Sequence, residues 1–293
     1  MQNYVIRAVS ADRFIRVFLA VTTNMVEDAR QIHNTSPVAT SAIGRTITAA
    51  AMMGLMLKGE NSKLSIQFKG NGPLKQILAV ADSHGNVKGY VSNPYVDLPL
   101  REDGKLDVGG AVGKEGKIII IKDIGLKEPY IGQSELVSGE IAEDITAYFA
   151  NSEQQPSAVA LGVLIERDRT VKAAGGFIIQ VLPGIEDSLL NELENTLKNL
   201  PSITSIIDRE KDGETLLKEI LKDFDIKILE KKEIKLTCDC SVERLEKALI
   251  SVGRKDLKEI IEEDGQAELT CHFCNTKYHF NKEHLERLFD EAQ

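Results

Sequence analysis

All four cysteines of this chain fall in one C-terminal stretch: Cys238-Asp-Cys240, then thirty residues, then Cys271-His-Phe-Cys274, with none in the 237 residues before. Any fold must therefore bring two distant pairs together or leave them purposeless. Paired knuckles with such a gap present four soft ligands tetrahedrally to one metal ion. Four sulfurs leave no coordination position open for water, which argues for a closed structural ion and against a hydrolytic one. Zinc is the first reading, with an iron–sulfur cluster as its rival, because thiolates suit both.

The surrounding chemistry fits a reducing compartment. The first twenty-one residues carry Arg7, Asp12, Arg13 and Arg16, which interrupt any signal-peptide core. Uncharged apolar stretches such as Thr46 to Leu57 are too short to span a bilayer. The expectation is a cytoplasmic protein with no membrane partner, whose paired thiols bind metal more readily than they form stable disulfides.

Where the charge sits says more than its total of −9. Residues 1–183 hold 19 Lys+Arg and 19 Asp+Glu, residues 184–232 hold 8 and 12, and residues 233–293 hold 9 and 14. The cysteine-bearing segment is thus at −5 before its thiolates are counted. Nucleic-acid binding leans on clustered Lys and Arg, so an acidic module of this kind is not expected to bind nucleic acid.

Hydrophobic patterning divides the chain in three, and the expected class is α+β. Residues 1–183 read as a mixed core domain of packed sheets and helices. Tyr4–Val9 and Phe14–Val21 form a hairpin, and a long helix runs from about Ser36 to Lys58. Strands follow at Leu64–Phe68, Leu74–Val80, Val87–Val91 and Ile118–Ile121, the last as a buried strand. Ser138–Ala150 reads as a helix, and Ala158–Ile165 and Val171–Leu182 as strands. Pro183-Gly184 marks a boundary.

Residues 184–232 read as a metastable amphipathic helical linker. Leu189, Leu193 and Leu197 form one apolar stripe, Ile203, Ile206 and Ile207 a second, and Leu216, Leu217, Ile220, Leu221 and Phe224 a third. Such short helices cannot bury an apolar face alone. Residues 233–293 read as a small domain that needs its metal to fold. Helices are expected at Val242–Ser251 and Lys255–Glu263, and a strand at Ala267–Thr270.

Weaker signals have plainer readings. Gly109-Gly-Ala-Val-Gly113-Lys114-Glu115 has the wrong spacing for a phosphate loop and reads as a surface turn. His272 reads as a spacer inside the second knuckle, and His279 and His284 as surface residues. Met52, Met53 and Met56 offer an adaptable surface, although core packing on a helix is the favoured reading. Gly175-Gly176 marks a bulge or a close backbone approach. No catalytic spacing stands out, so no catalytic residue is assigned. A structural zinc knuckle on an unknown enzyme, a thiol–disulfide oxidoreductase using Cys271 and Cys274, and a zinc-dependent nucleic-acid module are the rival readings on residues alone.

The combination resembles the redox-regulated 33-kDa chaperonin, or heat-shock protein 33, family of bacteria across essentially the whole chain. The cysteine pattern is its most specific part. Ser41-Ala-Ile-Gly-Arg-Thr46, the Asn71-Gly-Pro73 turn, Val137-Ser-Gly-Glu140, Ser152-Glu-Gln154, Ala174-Gly-Gly-Phe177 and Asp264-Gly-Gln-Ala-Glu268 also look like that family's stretches. The resemblance implies an ATP-independent holdase and not an enzyme. It implies one Zn²⁺ per chain in the reduced form, held by Cys238, Cys240, Cys271 and Cys274, and inactivity in that form. Oxidation is implied to form Cys238–Cys240 and Cys271–Cys274 disulfides, eject zinc, unfold the linker and give a homodimer. The active form is implied to hold unfolded client proteins and pass them to ATP-dependent foldase chaperones. Leu189, Leu193, Leu197, Ile220, Leu221 and Phe224 are the expected contributors to the client surface.

Overall fold

The computed structural model describes residues 2–210 and 212–291, which form two compact units, 1–237 and 238–293. In the first unit, β1 (Tyr4–Ser10) and β2 (Ile15–Val21) make the expected hairpin. Asp12 Oδ1 accepts the Phe14 amide at 2.9 Å and steadies its turn. Two helices follow, α1 (Thr23–His33) and α2 (Pro37–Gly54). The first of these carries no expectation from the sequence. Ser36 caps α2 by accepting from the Ala39 amide, and Pro37 opens it, a combination that pre-sets the first turn.

Helix α2 is buried along 16 of its 18 residues. Its side chains are mostly small, so backbone from both sheets can approach it. The hydroxyls of Thr40, Thr46 and Thr48 bond the carbonyls of Ser36, Ala42 and Gly44, which satisfies donors that would otherwise be stranded in the core. Met52 and Met53 are core residues of this helix, as the plainer reading expects, and Met56 lies half-buried beyond its end.

The chain continues through β3 (Lys63–Gly70), β4 (Gln76–Asp82), β5 (Asn86–Val91), α3 (Val108–Val112), β6 (Gly116–Asp123), β7 (Tyr130–Glu135) and α4 (Ile141–Asn151). Two corrections arise here. The glycine-rich Gly109–Gly113 segment is not a surface turn: α3 buries Gly109, Ala111 and Val112, and the Asn71–Gly72 backbone lies against its end. The four isoleucines of β6 are buried on one face only. Ile118 and Ile120 are fully buried, whereas Ile119 and Ile121 are half-exposed on the other face of the pleat.

Strands β8 (Ser157–Ile165) and β9 (Val171–Val181) lead into α5 (Asp187–Lys198), α6 (Ile203–Arg209), α7 (Gly213–Ile220), β10 (Ile226–Glu233) and β11 (Lys235–Leu236). One sheet has the order β10-β1-β2-β9-β8 and the other β11-β5-β4-β3-β6-β7, with α2 packed against both. Gly175 and Gly176 lie in regular register with β2 and β8, so they mark close approach and not a bulge: a Cβ on either would collide with the carbonyl of Ala20 or Ala160.

The segment expected as a helical linker is helical only in part. Its three helices are present, but 226–233 is a strand, paired antiparallel with β1 from Tyr4↔Glu233 to Ser10↔Ile226. The five charges of β10 (Lys227, Glu230, Lys231, Lys232, Glu233) hide a strand from any periodicity argument, and such charges are typical of a sheet edge. By its contacts this whole segment groups with the first unit.

The five-stranded sheet is therefore covered on both faces. One face carries Val5, Phe18, Ala20 and Ile178 into the large core around α2. The other carries Tyr4, Ile6, Val17, Leu19, Phe177 and Ile179 beneath α5, α6 and α7.

The second unit contains α8 (Val242–Ser251), α9 (Arg254–Glu263), the hairpin β12 (Gln266–Thr270) and β13 (Lys277–Asn281), and α10 (Lys282–Glu291). Its two central helices and first strand fall where apolar periodicity places them. Its own core consists of Leu249, Leu257, Phe280, Leu285 and Leu288. Among the described residues, no helix of the chain is long and apolar enough to cross a membrane.

Candidate metal centre

The first cysteine pair sits on the short run between β11 and α8. Ser241 caps α8 by accepting from the Arg244 amide, and Arg244 reaches back to Asp239 at 2.7 Å, which fixes the Cys238–Cys240 bend. The second pair forms the turn that joins β12 to β13. There the Cys271 amide donates to the Thr276 carbonyl at 2.9 Å and the Asn275 amide donates to the Cys271 carbonyl at 2.8 Å. Asn275 takes a left-handed conformation (φ 56°), which a tight knuckle demands and Asn tolerates.

Folding of the hairpin brings both pairs together. All four Sγ atoms lie within 4.8 Å of one another, with Cys238–Cys271 at 3.6 Å and Cys240–Cys274 at 3.4 Å. All four thiols are free. A regular tetrahedron of sulfurs about 2.3 Å from a zinc ion has edges of about 3.8 Å, so this donor set has the size and softness of a closed metal site. His272 is not among the converging groups; it is exposed, as a spacer would be.

The sulfurs are not equivalent. Burial pushes the Cys238 and Cys271 thiols well up. Burial also works to raise Cys274, but hydrogen bonding to the Thr276 hydroxyl and amide outweighs it and draws this thiol down to about 7. Tyr278 donates its hydroxyl to Cys240 Sγ at 3.1 Å, a bond that pushes the phenol up to about 12. Sequence reasoning missed Thr276 and Tyr278. Their one available signal is spacing, two and four residues beyond Cys274, which the strand after the knuckle turns into proximity.

The other histidines separate. His279 is exposed, with Nδ1 3.4 Å from a Glu268 oxygen. His284 is more than a plain surface residue: it is half-buried, stacks edge-on with Phe280 and pairs with Glu246, tying α10 to α8.

A family model described as Hsp33 protein matches residues 3–281. The 33 kDa chaperonin of Alkaliphilus oremlandii is 57% identical over 291 residues, spanning 99% of this chain and 97% of that protein. The chain belongs to the Hsp33 family. A second relative, the 33 kDa chaperonin of Alkaliphilus metalliredigens, is 55% identical over 99% of this chain and all of its own. The crystal structure of the 33 kDa chaperonin (heat shock protein 33 homolog) of Thermotoga maritima superposes with a TM-score of 0.91 at 38% identity, covering 99% of both chains. As an Hsp33 protein the chain is a chaperone and not an enzyme, which removes the oxidoreductase reading of Cys271 and Cys274. Its four-cysteine cluster is compatible with metal binding and with redox regulation.

The structure also places the six residues expected at a client surface. Leu193, Ile220 and Leu221 are fully buried in the cluster beneath the linker helices, and Leu197 and Phe224 pack against it. Leu189 is half-buried and stands apart from that cluster.

Proposed function

We propose that this Hsp33 protein is a redox-regulated, ATP-independent holdase with three working parts: a core of 1–183, a metastable linker of 184–232 and a zinc-binding switch of 233–293. The observation that carries the reading is the convergence of four free thiols in a unit whose hydrophobic cluster has five buried members among the described residues. Cys238, Cys240, Cys271 and Cys274 would hold one Zn²⁺ in the reduced form. That ion, when bound, supplies a closed cross-link between the two knuckles and keeps the sulfurs as thiolates, the form that oxidants attack.

The chain's own residues do the rest. Oxidation of Cys238 with Cys240 and of Cys271 with Cys274 removes two electrons per thiolate pair; a peroxide accepts them, takes two protons from solvent and leaves as two waters. All six sulfur–sulfur distances permit a bond after modest movement, and the i,i+2 pair is the tighter to close. Four sulfurs tied up in disulfides no longer cross-link the knuckles, and five buried side chains are too small a core to keep the switch folded.

The linker helices are the next element to yield, because one apolar face, the Gly213–Tyr4 hydrogen bond and the Lys172–Asp208 pair are what anchor them. Their release uncovers Tyr4, Ile6, Val17, Leu19, Phe177 and Ile179 on the sheet, together with Leu193, Leu197, Ile220, Leu221 and Phe224 on the linker. Leu189 joins them once the first helix is loose. Those apolar surfaces hold unfolding clients and support a homodimer, and clients leave to ATP-dependent foldases. A cytoplasmic site of action fits thiols that rest reduced.

The deciding experiment follows released zinc and suppression of client aggregation together, before and after peroxide at elevated temperature. Zinc release that tracks gain of holdase activity, both reversed by reductant plus zinc, is expected. Zinc retained on oxidation, or lost with no gain of activity, defeats the proposal. For the client surface, replacing Leu193, Ile220 and Leu221 by Ser weakens client holding or switches it on constitutively; no change in either assay removes those residues from the surface.

A further inference from the structure

We propose that the cleft where the two sheets meet the end of α2 is a binding site for a small organic monocarboxylate. The cleft encloses a cavity of ≈ 200 Å³, room for about six water volumes. Arg16 enters it from β2 in one sheet and Lys122 from β6 in the other. Met53 and Met56, with Leu57, form an apolar wall at the end of α2, closed by Phe149 of α4.

The charges in this cleft do not balance. Lys122 is matched by Glu153, which also accepts the Tyr148 hydroxyl at 2.8 Å. Arg7, whose charge acts on Arg16, is matched by Glu230. Arg16 has no carboxylate partner among the described residues. Its guanidinium donates one hydrogen bond, from Nη2 to Gln180 Oε1 at 2.6 Å, and its Nε is buried without an acceptor. Gln180 is itself 2% exposed and is held by Ser157, so the acceptor is fixed in place.

A half-buried guanidinium with an idle donor is costly to keep, since desolvation is not repaid by a counter-charge. Burial, and then the charge of Arg7, both disfavour its protonated form. A monoanion in the cavity supplies the missing counter-charge. A carboxylate suits guanidinium geometry, and the apolar wall selects an anion with a hydrocarbon body over a bare inorganic one. The thioethers of Met53 and Met56 can adjust to the shape of that body. A ligand held by Arg16 of one sheet and packed against the end of α2 ties the two together, and so stabilises the folded core.

The test uses the full-length protein with benzoate as probe, benzamide as its neutral counterpart and inorganic phosphate as an anion with no apolar body, at constant ionic strength. Benzoate is expected to bind saturably, to raise the thermal midpoint, and to perturb the NMR signals of the Gln180 side-chain amide and the Met53 and Met56 methyls. Benzamide and phosphate are each expected to bind at least tenfold more weakly. Arg16→Met and the cavity-filling Met56→Trp are each expected to lower benzoate affinity at least tenfold, the second with Arg16 intact. Absence of saturable benzoate binding overturns the proposal. So does benzamide or phosphate binding as well as benzoate, or perturbation confined to residues elsewhere. The wild-type comparison decides the matter even if both variants fail to fold, and none of these readouts depends on the thiols or on holdase activity.

Discussion

The two compact units of this protein are held together by different means. The first surrounds a nearly all-buried helix with two sheets, and its main cluster joins dozens of buried residues from Val5 to Ile234. The second is a hairpin and three helices around five buried side chains, with four thiols as its other point of convergence. One is stabilised by area removed from water; the other, on the proposed function, by a metal cross-link that an oxidant or a chelator would undo. The difference teaches that a unit with so little burial depends on its point of ligand convergence, as the larger unit does not.

The same contrast recurs at shorter range on the two faces of one sheet. The α2 face is covered by a helix without a single charge on its buried side, locked in by residues such as Gly44, where a Cβ would stand 2.6 Å from Val26 Cγ1. The opposite face is covered by helices that bury one stripe and leave acidic surfaces in water, with 12 acidic against 8 basic residues over 184–232. Tight packing meets permanence on the first face, and an amphipathic covering suits release from the second.

Chelation is the harshest way to break the comparison. Stripping the metal from the reduced protein removes about 10 kcal/mol from the second unit, so amide protection across 238–291 should collapse while that of α2 persists. Collapse of both together would mean that the first unit has no independent stability.

Next in size is Ile206→Ala, which hollows out a fully buried contact of α6 and should cost about 3 kcal/mol. Hydrogen exchange is expected to quicken through 185–225 and not in α2; a uniform change would make the linker as firmly fixed as the core. Gly162→Ala sharpens the same point at about 1–2 kcal/mol. The new methyl collides with Thr204 and Ile203 of α6, and so lifts the linker while leaving the α2 face alone. Increased basal client holding under reducing conditions is the expected readout.

The smallest effect is a pH dependence of the first unit. Glu27 is held by Arg30 at 2.8 Å, accepts the Val171 amide at 3.0 Å and has its pKa lowered to about 2, chiefly through the Arg30 bond. A depressed carboxylate contributes stability that is fully present above its unfolded value of about 4.5 and is lost as pH falls towards 2. With solvent screening this amounts to about 1–2 kcal/mol. Glu27→Gln should therefore lower the thermal midpoint at neutral pH and converge with the wild type in acid; a constant gap across that range would assign the loss to packing.

Much of the fold was legible because its signals were local. The helix at Val242–Ser251 follows from apolar spacing, and the β1–β2 hairpin from its alternation and its Ala11-Asp12 turn. The misses share a cause. The strand β10 reads as a charged linker because its neighbour β1, and not its own composition, makes it a strand. The short helix α3 reads as a turn because only the surrounding backbone shows that its glycines are buried contacts. Helix α1 was within reach, since Met25, Val26, Ala29 and His33 share one face, yet its polar filling blurred the stripe.

By itself the sequence determined the donor set and the family. Four soft ligands in two knuckles admit few other uses, and the resemblance spans the chain. Tertiary structure alone decided which groups temper those sulfurs, that one sheet has a tightly packed face and an amphipathically covered one, and that Arg16 has no carboxylate partner among the described residues. The physical reason is range: ligand chemistry and periodicity are properties of neighbours along the chain, whereas desolvation and charge balance depend on residues the fold brings from far away.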